Sequence, residues 1–335
     1  MTRSGRIPGK THPSRRSGAN RVKRECAMKF QDRDAQLLET IHQYDGVVAK
    51  RQLKHIFWQG MSWRAMEKRL AKLHACGYVE WPSRSEWRVR PIPEPVCWLG
   101  WQGILWIASR RDLTVKSPQN PNENQFRQLE KELREGGIRW VREPRWIQLE
   151  HDLTVVDVRM KIEQDLRGCS NLNLKCWLPE SAFRTDMDVL EYDEIDRAGN
   201  RKSVRKGICP DGYFEITDAT RSINGTPAVG RFLLEVDMAT HDNPSFGREK
   251  ALPGYEYIKS PQFRNRFGYN SGRWLVVTTG QARMEHLLRQ TSQSAGKGAR
   301  VFFFTTIEDL MREDCLSAPI WRQPGEEKPV TLFMK

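Results

Sequence analysis

Three acidic residues lie in two apolar segments that have the pattern of neighbouring β-strands. Asp211 belongs to a Pro-Asp-Gly sequence that precedes Tyr-Phe-Glu-Ile-Thr, and Glu235 and Asp237 alternate with apolar residues in Phe-Leu-Leu-Glu-Val-Asp-Met. Side chains alternate faces along a strand, and paired strands lie about 4.8 Å apart, so pairing would bring the three carboxylates together. Like charges that close repel unless a cation neutralises them or one carboxyl group stays protonated. The pattern predicts a magnesium or manganese site at Asp211, Glu235 and Asp237, since hard cations prefer carboxylate oxygens.

Ordinary turn and strand chemistry is the alternative to a metal site. Pro-Asp-Gly is a common turn sequence in its own right, so Asp211 could serve the turn alone. Glu235 lies in the middle of an apolar strand, where a carboxylate without a partner is costly to bury. His151 begins an apolar helical segment and is more typical of a hydrogen-bonding residue at a helix end than of a catalyst. The sequence contains neither a phosphate-binding glycine loop nor Gly-x-Ser-x-Gly.

The charge of the chain is concentrated at its start. The 335 residues carry a net charge of +13, and residues 1–30, with nine Lys or Arg against one Glu, account for +8. This composition predicts a disordered basic arm that binds phosphate, in preference to an organellar transit peptide; a merely solubilising tail is the equal alternative. The seven scattered cysteines predict neither a zinc site nor a disulfide framework, and no apolar run is long enough to span a membrane. We therefore expect a cytoplasmic protein with a nucleic-acid partner.

Residues 31–111 have the pattern of a winged helix-turn-helix domain. Apolar spacing predicts a helix ending near residue 45, a second around residues 50–58, and a third that Ser62 caps and Gly77 ends. Two short extended segments, residues 78–81 and 87–90, follow as a predicted hairpin. Residues 96–108 are expected to form a closing strand and a short helix.

One face of the third predicted helix is basic. Arg64, Lys68 and Lys72 follow one another at four-residue steps, and residues 50–72 hold seven basic residues against Glu67 alone. In the context of tandem helices, this pattern predicts that the three side chains enter the major groove of double-stranded DNA, with Arg88 of the hairpin as a further contact. An ordinary solvated helix face is the alternative.

The second half of the chain has the pattern of an α/β domain. Residues 112–139 are typical of a linker followed by one amphipathic helix, which could belong to either neighbour. Residues 140–312 then predict the order helix, three strands, helix, strand, helix, strand, which indicates a mixed sheet. The acidic segment 185–200 is expected to be a loop, and prolines exclude one uninterrupted helix over residues 246–267. Residues 313–335 are expected to form a loose tail.

The order of these motifs resembles the PD-(D/E)XK nuclease superfamily. Pro-Asp, a gap of 23 residues and Glu-x-Asp follow one another on predicted strands. A winged helix before such a domain, together with Lys250 and Tyr255 after it, resembles the replication-relaxation family over residues 32–310. The resemblance implies a restriction-endonuclease-like fold and an action on DNA in the replication or transfer of plasmids and other mobile elements. It also implies that Asp211 and Glu235 bind the metal, with Asp237 as an additional ligand.

One departure from the superfamily pattern leaves two functions open. Asp237 stands where the superfamily carries its catalytic lysine, and the resemblance implies that Lys250 or Arg248, on the following helix, replaces it. With that replacement the chain is a metal-dependent DNA endonuclease. Without it, the chain is a non-catalytic DNA-binding regulator of plasmid replication or transcription with an inactive nuclease-like domain. The sequence also leaves open whether a relaxase or a replication initiator is a partner.

Overall fold

A computed structural model describes residues 28–116, 122–195, 200–223, 225–239 and 246–333. The predicted basic arm lies almost entirely outside these ranges. Over the described parts of the chain, no helix combines the length and the apolar character that crossing a membrane requires. The architecture is α+β, with one large mixed sheet, two smaller sheets and many helices.

The first half of the described chain is mainly helical, with one small sheet. The central strand of this three-stranded antiparallel sheet is β3 (Val96–Leu99), which pairs with β1 (Val47–Ala49) and β2 (Val79–Glu80). The three helices predicted at its start are confirmed, and the hydroxyl of Ser62 caps the third by accepting a hydrogen bond from Ala65 N at 3.3 Å. The elements are α1 (Asp32–Gln43), β1 (Val47–Ala49), α2 (Lys50–Phe57), α3 (Trp63–Ala75), β2 (Val79–Glu80), α4 (Arg84–Val89), β3 (Val96–Leu99), α5 (Trp101–Ser109) and α6 (Glu123–Glu135).

The prediction of a hairpin in the wing is wrong for the second strand. The segment around Trp87 and Arg88 is the short helix α4, not an extended strand. Ser83 caps this helix, and the Ser83 backbone N donates to the Glu86 carboxylate at 2.8 Å, so local capping outweighs strand propensity. The partner of β2 is instead β3, whose four apolar residues are all buried.

Helix α6 belongs to the first half. Its Leu129 and Leu133 are buried in the same core as Leu37 of α1 and Leu70 of α3. The sequence left the assignment open because the helix stands between two segments of similar polarity. The apolar face of α6 is therefore buried in the core of the first half.

The second half is built around a five-stranded sheet in the order β10-β9-β8-β7-β4. The β4–β7 and β7–β8 pairs are antiparallel, whereas the β8–β9 and β9–β10 pairs are parallel, so the predicted mixed sheet is confirmed. The elements are α7 (Leu149–Arg167), β4 (Leu172–Pro179), α8 (Glu180–Thr185), β5 (Asp188–Ile195), β6 (Arg201–Ile208), β7 (Gly212–Ile223), β8 (Thr226–Asp237), α9 (Leu252–Lys259), α10 (Pro261–Phe267), β9 (Arg273–Thr278), α11 (Gln281–Ala295), β10 (Phe302–Thr306) and α12 (Ile307–Arg312).

Alternation along β7 and β8 divides the core between the two faces of this sheet. Phe214 and Phe232 are directly opposite each other and pack with residues of α7 and α12. Tyr213 and Leu233 point the other way and pack with residues of α9, α10 and α11. The sheet is therefore covered by helices on both faces, as its apolar central strands require.

The acidic segment predicted as a loop is a strand. β5 pairs with β6 along eight residues to form a separate hairpin. Leu190 and Tyr192 pack with Tyr213 and Leu233, and two acidic residues of β5 lie opposite basic residues of β6: Glu191 opposite Arg205, and Glu194 opposite Lys202. Complementary charges across the hairpin stabilise a strand that its own composition disfavours.

The segment after α12 is not a loose tail over residues 313–333. Trp321 and Leu316 are buried in the core on the sheet face that α7 and α12 cover. Arg322 pairs with Phe304 of β10. The indole of Trp321 donates to the carbonyl of Cys315 at 2.8 Å. A few widely spaced apolar residues anchor this segment, too few to produce a periodic pattern in the sequence.

The region after the described end of β8 forms two helices, as its prolines predict. A π-helical turn, Gly247–Ala251, continues directly into α9, because Pro253 lies in the first turn of that helix. The break falls at Ser260, which caps α10 before Pro261.

Candidate functional site

Asp211 is held against the middle of β8. Its backbone N donates to the carbonyl of Leu234 at 2.9 Å, and its Oδ2 accepts from the backbone N of Val236 at 2.7 Å. The residue is only 7% exposed. The Pro-Asp-Gly segment thus places a carboxylate beside the next strand, which a simple turn does not require.

Glu235 lies next to this position on β8. It is 9% exposed, and its carboxylate oxygens lie 2.8 and 2.9 Å from Nζ of Lys250. Lys250 belongs to the π-helical turn, so its ammonium group reaches Glu235 from the helical segment that follows β8.

The π-helical turn has a close contact that fixes its position. Gly247 lies against α11, where a Cβ would overlap the hydroxyl of Ser294 and the carbonyl of Gln290. Its backbone N donates to the side chain of Gln290 at 3.2 Å. π-Helical turns are rare overall, but those that occur are often found at functional sites. This one directs Lys250 towards Glu235.

His151 completes the cluster. Its Nε2 lies 3.2 Å from Oδ2 of Asp211, and its Nδ1 lies 3.5 Å from Asp152. Arg145 binds Asp152 and Glu180 together, which fixes the start of α7 against α8. The sequence gives no signal for this contact, because His151 precedes Asp211 by 60 residues and stands in no motif.

The four side chains alter one another's ionisation. Burial raises the pKa of Asp211, but the charge and hydrogen bond of His151 outweigh burial and hold it below its ordinary value. Burial, with the charge of Asp211, raises the pKa of Glu235 to about 7 despite Lys250. Burial lowers the pKa of His151, yet the charge of Asp211 raises it overall to about 10. The pKa of Lys250 is also raised, because the two carboxylates outweigh burial. At neutral pH His151 and Lys250 are therefore both charged, beside an ionised Asp211 and a Glu235 that is close to half protonated.

The structure does not bring Asp237 into this cluster. Its two carboxylate oxygens accept from Arg283 at 2.8 and 2.9 Å, and one of them also accepts from Thr278 at 2.8 Å. Residues two apart on a strand share a face but lie about 7 Å apart, and Asp237 reaches α11 instead. The side chains that the structure assembles are Asp211, Glu235, Lys250 and His151.

The donor set suits a metal ion with few protein ligands. In the described ranges, no group of three or more His, Cys, Asp or Glu residues is arranged to hold a metal ion. Mg²⁺, however, is commonly bound by one or two carboxylates together with waters and substrate phosphates. Asp211 and Glu235 fit that mode, whereas the three-carboxylate set including Asp237 does not match the observed pairing.

The basic face of α3 is exposed to solvent. Arg64, Lys68 and Lys72 are all exposed, and none of them forms an ion pair with another described residue. The opposite face carries Met66, Leu70 and Leu73, all fully buried. Nearby basic residues are engaged differently, since Lys50 pairs with Glu67 at 3.1 Å and Arg69 pairs with Asp34. Arg88 is exposed on α4, near the end of that helix.

Helix α7 joins the two halves. Arg159 lies between the rings of Tyr44 and Trp177, at 4.7 and 4.9 Å from their centroids, and donates to the carbonyl of Gln43. A cavity of about 50 Å³ lies beside this contact and is bounded by both halves. His151 and Asp211 line its wall, so the candidate site is reached from the junction.

The chain belongs to the replication-relaxation family. The family model with that description matches residues 38–268, which is more than half of the chain and includes α3, Asp211, Glu235 and Lys250. The resemblance stated from the sequence motifs is thereby confirmed at the level of the family. No curated protein and no solved structure matches the chain.

Proposed function

We propose that this chain is a DNA-binding protein that acts in the replication or transfer of plasmids or other mobile elements in the cytoplasm. The observation that carries the proposal is the exposed row of Arg64, Lys68 and Lys72, which has no ion pair within the described ranges, on a helix whose other face is buried. Family membership supports the biological setting.

The arrangement around α3 supports a winged helix-turn-helix mode. α2 and α3 follow each other through a short turn, and the small sheet with β3 at its centre packs beside them. In helix-turn-helix proteins the second helix enters the major groove of DNA. Arg88 is exposed on α4, between β2 and β3, and would supply the further DNA contact expected of a wing.

Matched charge removal tests this proposal. Replacing Arg64, Lys68 and Lys72 with Ala should weaken binding to a fluorescent duplex by at least about tenfold, since three phosphate contacts are lost. The control replaces Arg127, Lys131 and Arg134, which are exposed on α6, and removes the same charge. Equal loss of affinity in both variants, measured by fluorescence anisotropy, would contradict the assignment to α3.

A second candidate function is metal-dependent cleavage of a phosphodiester, and the contact between Lys250 and Glu235 favours it. Asp211 and Glu235 would hold Mg²⁺ or Mn²⁺, which supplies Lewis-acid activation of water and phosphate when bound. Lys250 would then stabilise negative charge on the phosphate, and His151 would keep Asp211 ionised and oriented. A non-catalytic regulator remains the alternative, since both carboxylates are already paired with cations.

Supercoiled plasmid separates these two possibilities. A nuclease should nick or linearise it with Mg²⁺ or Mn²⁺, and Asp211→Asn or Lys250→Ala should abolish cleavage. Asp237→Asn, whose side chain pairs with Arg283 instead, is the matched control and should retain cleavage. Wild-type protein that binds the plasmid but leaves it intact with both metals would exclude the nuclease and support the regulator.

A further inference from the structure

Two large apolar side chains are exposed at the start of α3, beside its basic face. Met61 is 43% exposed and Trp63 is 45% exposed, on either side of the capping Ser62. Trp63 is the first residue of the helix, and Arg64 follows it directly. Exposed apolar side chains within a charged surface are typical of contact sites.

Packing within the chain does not account for Trp63. The helix is anchored by its cap and by the buried Met66 and Leu70, whereas Trp63, one turn before Met66, stays 45% exposed. In the described part of the chain, Trp63 has no ring contact with an aromatic or cationic side chain. Trp58 and Trp81, by contrast, contact the cations of Arg33 and Lys50.

The surroundings of Trp63 fit one partner, double-stranded DNA. The basic residues continue from Arg64 along the same helix and complement phosphate charge. The N-terminal residues of a helix in the major groove are those that contact base edges. The apolar group that the major groove offers there is the C5-methyl of thymine.

We infer that Trp63 contacts thymine methyl groups in the major groove and gives the protein a preference for thymine-bearing sites. This inference rests on the proposed DNA-binding function and adds a determinant of specificity to it. The cations of α3 supply affinity for any sequence, whereas Trp63 distinguishes bases.

Duplexes that differ only in the methyl group test the inference. Wild-type protein should bind poly(dA-dT) about fourfold more tightly than poly(dA-dU) for each methyl contacted, the factor that corresponds to ~0.8 kcal/mol of apolar burial. Trp63→Ala should bind both polymers equally, and Trp63→Phe should keep part of the difference. Lys68→Ala should weaken binding to both polymers by the same factor.

The exposed Ile147, in the second half, supplies the matched control. Ile147→Ala removes an apolar surface side chain without touching α3 and should leave the preference intact. Equal binding of wild-type protein to both polymers would overturn the inference while leaving DNA binding standing. Absence of binding to either polymer would overturn the proposed function itself. If Trp63→Ala instead converts a dimer to a monomer in sedimentation and keeps the methyl preference, Trp63 belongs to a protein interface and the inference fails.

Discussion

At the scale of residues, the pairing of Glu235 and Asp237 with different cations separates their roles. Both acids lie on one face of β8, but Lys250 holds Glu235 beside Asp211 and Arg283 holds Asp237 away from it. The Asp237 pair has the geometry of a bidentate arginine–carboxylate contact, which holds that carboxylate against α11. The metal ligands that we propose are therefore Asp211 and Glu235 alone.

Calorimetric titration with Mn²⁺ tests that pair of ligands. Glu235→Gln should weaken binding by at least about tenfold, because second-sphere changes alone already cost that much in metal sites. Asp237→Asn should leave the affinity within about twofold of wild type, since the Asp237 side chain bonds to Arg283 and Thr278 and to neither proposed ligand. Loss of binding in Asp237→Asn would return that residue to the ligand set.

His42 of α1 gives the protein an acid sensitivity outside the site. Burial, with the charge of Arg111, lowers the pKa of His42 to about 4. The stability that depends on neutral His42 is fully present above about pH 6.5 and is lost as pH falls towards 4. Urea unfolding measures the free energy of unfolding at each pH. Between about pH 6.5 and 4, this free energy should fall by about 2–3 kcal/mol less in His42→Gln than in wild type. The same acid loss in His42→Gln as in wild type would contradict this assignment; the exposed His55→Gln is the control.

At the scale of elements, what the sequence predicts depends on whether local pattern and tertiary contact agree. α3 follows from its cap and its apolar spacing, and the faces of β7 and β8 follow from strict alternation. α4 and β5 do not follow, because a capping box and cross-strand charge pairs act against the propensities of their residues. The π-helical turn also could not be predicted, since only the contact of Gly247 with α11 explains it.

That contact of Gly247 yields a prediction. Gly247→Ala would overlap Ser294 and the backbone of Gln290, so it should cost about 1–3 kcal/mol of unfolding free energy and displace Lys250. Thermal unfolding measures the cost. Gly280→Ala is the control, because nothing lies near a Cβ there. Equal melting temperatures for wild type and Gly247→Ala would show that the π-helical turn accommodates the added methyl group without loss of stability.

At the scale of the whole molecule, α7 connects the basic helix domain with the candidate site. One end of α7 carries His151, and its middle packs against the first half through Val156 and Arg159. Partners that stand more than 100 residues apart, such as Arg51 and Asp157, form this junction. The sequence predicts the two halves but carries no pattern for contacts of that range.

Arg159 is the residue whose loss should uncouple the halves. Arg159→Ala removes a cation from between Tyr44 and Trp177 and leaves Glu163 without that partner, at a cost of about 3 kcal/mol. Calorimetry should show one unfolding transition for wild type and two for the variant. Arg127→Ala, on exposed α6, is the control. Two transitions in wild type would mean that the halves are already independent.

The salt dependence of DNA affinity tests most directly whether the basic face of α3 binds DNA. Each phosphate contact adds about 0.9 to the slope of log affinity against log salt concentration, so loss of three contacts should reduce it by about 2.7. We predict that reduction for the variant that replaces Arg64, Lys68 and Lys72 with Ala. The α6 variant should keep the wild-type slope. Identical slopes for wild type and the α3 variant would contradict the account.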